Sequence, residues 1–232
     1  IEEKAMKVVM LVTTLLVFLF VGSILYTIVK NGWGAMNWEM ISSLPGGGFY
    51  IGKEGGLLNA IVGSLYIVGA STVLGIPVVF YLNVYLKKNS KRGSFARLAY
   101  DVLFGIPSIV YGAFAFTIMI YLGLKTSLAG GIIVITLLII PIFIRSMDEI
   151  ARELPQDMLN ASYSLGATRY ETIKVVVRQI APGIATATLL SIGRAIGDAA
   201  AVLFTAGYTD NIPTSLGQPA ATLPLAVFFQ LS

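Results

Sequence analysis

The sequence has no cysteine and no histidine among its 232 residues. These absences exclude a disulfide, a thiolate nucleophile, an imidazole base and a zinc site made of the usual ligands. An intramembrane serine protease would need such a base or a Gly-x-Ser-x-Gly turn, and the sequence has neither. We therefore expect no catalytic residue, no metal site and no cofactor in this chain.

Charged residues are also scarce. They make up 12% of the chain, whereas soluble domains average about a quarter. Hydrophobic residues make up 56% and fall into long blocks separated by short polar stretches, as a lipid bilayer requires. A net charge of +4 would suggest nucleic acid in a soluble protein. Here the basic residues lie beside the apolar blocks, so we predict a lipid bilayer as the environment and no nucleic acid.

The apolar blocks predict an all-α, polytopic membrane helix bundle. About 20 helical residues cross the roughly 30 Å hydrocarbon core of a bilayer. Five blocks are long enough, and because the chain ends within another apolar run, we expect a sixth span beyond the end. The predicted spans are Val8–Val29, Leu57–Leu86, Leu98–Leu122, Leu128–Ile144 and Val175–Ala206.

Lysine and arginine mark one side of this bundle, and short loops rich in them stay in the cytoplasm. Basic residues precede the first span, join the second to the third, and join the fourth to the fifth. The opposite loops hold only Lys30, Lys53 and Lys125. We therefore predict a cytoplasmic N-terminus.

Prolines lie within four of the five predicted spans, at Pro77, Pro107, Pro141 and Pro182. Each proline removes a helix hydrogen bond and kinks the helix. Two interpretations remain open. The small residues beside the prolines allow close helix packing, or the helices are broken and line a pathway.

The polar segment at about residues 150–172 predicts two short helices joined by a turn. Pro155 indicates a helix start, Gly166 permits a sharp turn, and Thr168 with Glu171 forms a capping-box pattern for the second helix. Such a compact knob is more than a connecting loop needs. We therefore favour a docking element on the cytoplasmic face over a solvated loop.

Arg194 and Asp198 lie four residues apart inside the fifth predicted span. An arginine at the bilayer centre costs roughly 2.5–3.5 kcal/mol, and this spacing lets the carboxylate neutralise it. Gly193 and Gly197 share the spacing and would let another backbone approach closely. The ion pair could merely make insertion bearable. We favour a guanidinium that lines an anion pathway, because its fork matches phosphate and carboxylate oxygens.

The run Asn160-Ala161-Ser162, followed after three residues by Gly166, resembles the Glu-Ala-Ala…Gly motif of ABC-importer permeases. This resemblance implies that Asn160, Ala161, Ser162 and Gly166 belong to a coupling helix that enters a groove on a cytoplasmic ATPase. Asn160 stands where that family has glutamate. Docking by shape is therefore expected, without a salt bridge from the first position.

Four further motifs resemble the permeases of Pst phosphate importers. Arg194–Asp198 (Arg-Ala-Ile-Gly-Asp) is similar to their Arg-Ala-x-Gly-Glu, and Leu203–Gly207 reads Leu-Phe-Thr-Ala-Gly, as in the A subunit. Pro107–Gly112 (Pro-Ser-Ile-Val-Tyr-Gly) is similar to the third span of both subunits, and Gly55–Ser64 resembles the start of the A subunit's second span. Asp198 stands where this family usually has glutamate, and Ala199–Ala201 replaces the Thr-Ala-Pro common in the A subunit. These departures leave the choice between subunits A and C open.

This resemblance implies a MetI-like ABC type-1 permease of the PstA type, which forms half of the pore of an ATP-driven phosphate importer in a prokaryotic inner membrane. Residues 1–56 would be the first transmembrane helix and outer loop, and residues 57–232 the permease core. Arg194 and Asp198 would line the substrate pathway. The implied partners are a second permease resembling PstC, two ATP-binding subunits resembling PstB and an extracytoplasmic phosphate-binding protein resembling PstS.

Two alternatives differ in substrate or in energy source. A permease for another oxyanion, such as sulfate or molybdate, would share the same motifs. An ion-driven secondary transporter would need membrane carboxylates as carriers, and the spans offer only Asp101 and Asp198. The chain has no Gly-x-x-x-x-Gly-Lys-Ser/Thr run, so we expect a separate partner, and not this chain, to hydrolyse ATP.

Overall fold

The computed structural model describes residues 2–34, 36–46, 55–80, 91–152 and 156–231. In these ranges the regular elements are helices, together with one isolated bridge between Pro45 and Gly55. The prediction of an all-α fold is confirmed. The helices are α1 (Glu2–Gly32), α2 (Trp38–Ser42), α3 (Leu58–Phe80), α4 (Lys91–Phe104), α5 (Ser108–Tyr121), α6 (Leu128–Arg152), α7 (Gln156–Ser164), α8 (Arg169–Gln179), α9 (Ala181–Ile196), α10 (Ala200–Leu203) and α11 (Leu223–Leu231).

The chain divides into two compact units, Ile1–Ser42 and Ser43–Ser232. The first unit is dominated by α1, whose 31 residues make a helix about 46 Å long. Its leucine, valine and phenylalanine side chains are exposed, as they are in a helix whose solvent is lipid. The predicted span Val8–Val29 lies wholly within this helix.

α6 is the central helix of the second unit and packs against α3, α4, α5, α9 and α10. Ile135 and Ile139 of α6 share a buried hydrophobic cluster with Ile67 of α3 and Val202 of α10. With 25 residues, α6 is about 38 Å long and exceeds the hydrocarbon thickness. It therefore connects the two ends of the unit without a break.

Three helices are long and apolar enough to span a membrane, or five if each of two bent helix pairs counts as one span. The three comprise Glu3–Gly32, Leu58–Val79 and Leu128–Ile150. They agree with the first, second and fourth predicted spans, except that residues 81–86 lie outside the described ranges.

The third and fifth predicted spans are not single helices. Between α4 and α5 the axis turns by 107°, and between α8 and α9 it turns by 65°. The fifth span was predicted to begin at Val175, but that residue lies in the last part of α8, and the helix in line with the bundle is α9. Hydropathy alone does not detect a bend, because both arms of each pair are apolar enough to join one window.

The four span prolines divide between the two interpretations. Pro77 and Pro141 lie inside continuous helices, α3 and α6. Pro107 caps the start of α5, and Pro182 occupies the first turn of α9, where a missing N–H costs nothing. Only the second pair marks broken helices.

The segment after α10 covers the first turn of α6, whose N–H groups have no partner within the helix. The Leu128 amide donates to the Gln218 carbonyl at 2.7 Å. The Ala129 amide donates to the Leu216 carbonyl at 2.9 Å. Gly207 turns the chain into this segment with φ +75°, a conformation that favours glycine. A Cβ at this position would also lie 2.7 Å from the Thr126 hydroxyl oxygen, which is too close for any other residue without a shift.

Close packing of α5 on α10 requires Gly112. A Cβ at this position would lie 2.7 Å from the Ala201 carbonyl oxygen and 2.9 Å from that of Ala200. Neither oxygen can move without displacing the α10 backbone. The last residue of the Pro107–Gly112 motif is thus explained by helix contact.

We predict that Gly112→Ala lowers the stability of the folded chain, by about 1–3 kcal/mol, because the added methyl group overpacks a backbone contact. Gly69→Ala is the matched control, since Gly69 also lies within a helix and has no atom within 4 Å of its Cβ position. Thermal unfolding in detergent measures both. Equal melting temperatures for the two variants would contradict the packing account.

Candidate translocation site

Arg194 and Asp198 form an ion pair, with the guanidinium Nη2 3.1 Å from the carboxylate Oδ2. The two side chains differ sharply in exposure. The Arg194 side chain is 49% exposed, whereas that of Asp198 is 2% exposed. The buried carboxylate therefore holds the arginine in place, and about half of the Arg194 side chain remains exposed.

Asp198 also contacts the start of the short helix α10, which begins two residues later at Ala200. Its Oδ1 accepts a hydrogen bond from the Ala201 amide at 2.8 Å, in the manner of an N-terminal cap. One carboxylate thus holds two elements, the end of α9 through Arg194 and the start of α10 through Ala201. The chain leaves the α9 helix at Gly197, so residue 198 lies between α9 and α10 and can contact both. This position explains why an acidic residue stands there.

Arg194 lines a cavity of about 370 Å³. At roughly 30 Å³ per water, this volume holds a small anion with part of its hydration shell. The lining residues are Leu103, Phe104, Ile106, Tyr111, Leu138, Ile142, Ser146, Leu190 and Arg194. Arg194 is the single charged residue among them, so the wall of the cavity is apolar apart from one cation and two hydroxyl groups. In such surroundings the attraction between the guanidinium and an anion is stronger than in water.

The break between α4 and α5 forms one wall of the same cavity, through Phe104 and Ile106. The Tyr111 hydroxyl donates to the Leu103 carbonyl in the last turn of α4 at 2.7 Å. The same carbonyl accepts the Ile106 amide at 3.1 Å, so the tyrosine adds a second donor that joins α5 to the end of α4 across the break. Pro107 begins the helix that carries this tyrosine.

The spacing of Gly193 and Gly197 predicts the close approach of another backbone. Among the described residues, no such approach occurs. No heavy atom of the described residues lies within 4 Å of a Cβ built at Gly193. The only atom near Gly197 is the Gly193 carbonyl oxygen at 3.6 Å. No helix of the described ranges makes the close approach that their spacing allows.

The predicted knob is present as α7 and α8. Gly166 has φ +79°, a left-handed conformation that turns the chain between them. Thr168 and Glu171 form the predicted capping box, with both reciprocal hydrogen bonds in place. Pro155 lies outside the described residues, but α7 begins directly after it at Gln156.

The four motif residues of the knob have different surroundings. Asn160 and Ala161 are exposed, and so is Gly166. The Ser162 hydroxyl instead lies 3.2 Å from the hydroxyl of Thr172, a buried residue of α8, and joins the two helices. Exposed apolar side chains surround the turn, namely Tyr163, Leu165 and Tyr170.

Comparison with known families identifies the family to which the chain belongs. The profile of the family described as "binding-protein-dependent transport system inner membrane component" matches residues 71–229. The chain belongs to this permease family. The match contains the cavity, the knob and the ion pair.

Three relatives share most of their length with this permease. The phosphate transport system permease protein PstA of Haemophilus influenzae is 31% identical over 210 residues, which cover 88% of this chain and 73% of the relative. The protein of the same name from Pasteurella multocida is 32% identical over 210 residues, with coverage of 88% and 74%. The phosphate transport system permease protein PstA 1 of Mycobacterium tuberculosis is 34% identical over 183 residues, with coverage of 77% and 60%.

Family membership fixes the class of the protein. It is a multi-pass component of a transporter in the inner membrane and not an enzyme, and ATP hydrolysis belongs to separate subunits. The MetI-like fold predicted from the sequence is confirmed.

Sequence reasoning missed two polar residues of the permease cavity, Tyr111 and Ser146. Tyr111 lay in a quoted motif, but its role at the helix break depends on a bend that hydropathy does not reveal. For Ser146 the signal was present in the sequence. Leu138, Ile142 and Ser146 recur every four residues along α6, the spacing of one helix face.

We predict that Asp198→Ala lowers the stability of the permease by about 1–2 kcal/mol, because it removes the cap of α10. Asp198→Asn should cost less, since its amide oxygen can still accept from Ala201. Thermal unfolding in detergent compares both, with Asp210→Asn in the loop as a control for loss of one carboxylate. A melting temperature of Asp198→Ala equal to that of the parent would exclude the capping role.

Proposed function

We propose that this chain is the PstA-type permease subunit of an ATP-driven phosphate importer and that the Arg194 cavity is a station on the anion pathway. The observation that carries the proposal is the half-exposed guanidinium in the wall of an otherwise uncharged cavity. An arginine kept only to neutralise Asp198 would be as buried as its partner. The names of the relatives supply the substrate, phosphate.

The geometry favours transient binding over tight binding. Asp198 cancels part of the charge of Arg194 and, being sealed, does not itself face an anion. One cation in an apolar wall attracts an oxyanion without enclosing it. A site that must release its ligand in every cycle needs this balance.

Coupling to ATP hydrolysis is assigned to α7 and α8. The exposed side chains around Gly166 are those that an ATPase groove would bury, and the hydroxyl contact and capping box keep the knob rigid. α6 leads into this knob from the cavity wall. A push on the knob would therefore reach the cavity through one continuous helix.

The partners follow from this assignment. A second permease resembling PstC would complete the pore, with the open face at Gly193 as a surface for its close approach. Two ATP-binding subunits resembling PstB would receive the two knobs, and a phosphate-binding protein resembling PstS would deliver the anion from outside. In this proposal the N-terminus is cytoplasmic, as the basic residues of the loops favour.

The structure disfavours an ion-driven carrier. Asp198 is buried in an ion pair, and Asp101 lies 3.3 Å from the Arg145 guanidinium. Neither carboxylate is placed to load and release a proton or sodium ion in the cavity. Sulfate or molybdate would bind the same guanidinium, but the named relatives favour phosphate.

We predict that Arg194→Gln lowers phosphate transport about 10- to 100-fold, the effect of losing one charge-assisted hydrogen bond of about 1.5–3 kcal/mol. Arg194→Lys should give a transport rate between those of the parent and Arg194→Gln, because lysine keeps the positive charge but lacks the paired N–H donors of a guanidinium. Uptake of labelled phosphate by proteoliposomes holding the complete complex measures this, with Arg178→Gln on exposed α8 as the control. Normal uptake by assembled Arg194→Gln complex would refute the site.

We predict that Gly166→Val weakens association with the ATPase, by roughly 5- to 30-fold, because a left-handed β-branched residue costs about 1–2 kcal/mol. Gly166→Asn should bind nearly normally, since asparagine tolerates this conformation. No atom lies within 4 Å of a Cβ at Gly166, so a clash cannot explain a difference. Co-purification of the subunits provides the measurement, and equal yields for the two variants would argue against the knob.

A further inference from the structure

Two polar contacts join α4 to α6 near the knob end of α6. The Tyr100 hydroxyl donates to the Asp148 carboxylate at 3.2 Å, and both residues are buried. One residue further along α4, Asp101 lies 3.3 Å from the guanidinium of Arg145. The four side chains form a double contact between consecutive positions of α4 and one turn of α6, which we call the α4–α6 latch.

The latch lies beside the Arg194 cavity. The residues that follow it on α4, Leu103 and Phe104, line that cavity, as does Ser146 between the two latch residues of α6. The Arg145 guanidinium carbon lies 5.7 Å from the centre of the Phe104 ring, so the cation of the latch covers a side chain of the cavity wall. Opening the latch would release the part of α4 that closes the cavity.

The latch also lies next to the knob. Asp148 is four residues from Arg152, where α6 ends, and α7 begins at Gln156. In order along α6, the chain passes from the cavity wall to the latch and then to the knob. Along α6, a displacement of the knob therefore acts on the latch before it reaches the cavity wall at Ile142 and Leu138.

One half of the latch has a second state available. Arg145 and Asp101 are each 52% exposed, so their attraction is screened by solvent. Arg145 also lies 3.8 Å from Glu149 on its own helix. When α4 moves away, the guanidinium loses Asp101 and the Phe104 ring but keeps Glu149 as an acidic partner. Arg145 can thus change partners without being left unpaired, and the half-exposed Asp101 carboxylate is solvated.

We propose that the α4–α6 latch is a gate on the knob side of the anion cavity, closed when Tyr100 and Asp101 of α4 bind Asp148 and Arg145 of α6. The bend between α4 and α5 is the hinge about which α4 swings, and the Ile106 amide and the Tyr111 hydroxyl hold the Leu103 carbonyl at this hinge. Movement of the knob opens the latch and lets the anion pass from Arg194. This proposal rests on the function proposed above.

A reversible cross-link tests the gate directly, because the chain has no cysteine of its own. Asp101→Cys with Arg145→Cys, assembled with cysteine-free partners, is treated with a short reducible bis-thiol reagent. We expect linking to lower phosphate uptake at least tenfold (a barrier raised by about 1.4 kcal/mol or more) and a reductant to restore it. Treated single-cysteine variants, each of which carries one of the two charge losses without a link, should match their untreated rates. Undiminished uptake by the linked complex, or failure of the pair to link, would overturn the proposal.

A milder change separates the gate from general damage. Tyr100→Phe removes only the latch hydroxyl and should raise ATP hydrolysis in the absence of binding protein about 3- to 10-fold, since one hydrogen bond no longer holds the closed state. Tyr121→Phe, at a position 89% exposed, is the matched control. Equal hydrolysis by the two variants would refute the latch. ATP hydrolysis without binding protein does not depend on the transported ion, so this measurement tests the latch alone. Failure of the untreated complex to transport phosphate would refute only the proposed substrate.

Discussion

A helix that ends inside a membrane bundle must find partners for its free backbone groups, because hydrocarbon offers none. The structure of this chain follows from that constraint. The Leu103 carbonyl at the end of α4 accepts from the Ile106 amide and the Tyr111 hydroxyl, and Asp198 accepts from an amide at the start of α10. The first amides of α6 donate to carbonyls of the segment that follows α10. The helix ends around the cavity thus have specific hydrogen-bond partners.

The same constraint gives the arginine its setting. Asp198 is committed to the α10 amide and is almost completely buried, so it holds Arg194 from one fixed direction. In the proposed pathway the guanidinium would lose little freedom on binding an anion, because its position is set in advance. A carboxylate without a second hydrogen bond could move with the arginine side chain and cover it. Here the hydrogen bond from Ala201 holds Asp198 in place, and about half of the Arg194 side chain remains exposed.

Several elements were predictable from local chemistry alone. The first, second and fourth spans follow from uninterrupted hydropathy, and the capping box of α8 follows from Thr168 and Glu171. The ion pair was predicted from a spacing of four residues, and it forms although Asp198 lies just beyond the end of α9. The bends that divide the third and fifth spans were not predictable, because a window that averages hydropathy does not register direction. The missed role of Tyr111 is a consequence of the bend between α4 and α5.

By itself, the sequence determined the all-α class, the membrane environment, the knob and the pairing of Arg194 with Asp198, since each depends on residues that are near neighbours in the chain. Only the tertiary structure decided which partner of that pair is buried, which helix break faces the arginine and how α4 is fastened to α6. These features join residues that lie 40 or more positions apart, as Tyr100 and Asp148 do. Contacts at that separation depend on how whole helices pack, and no local pattern encodes them.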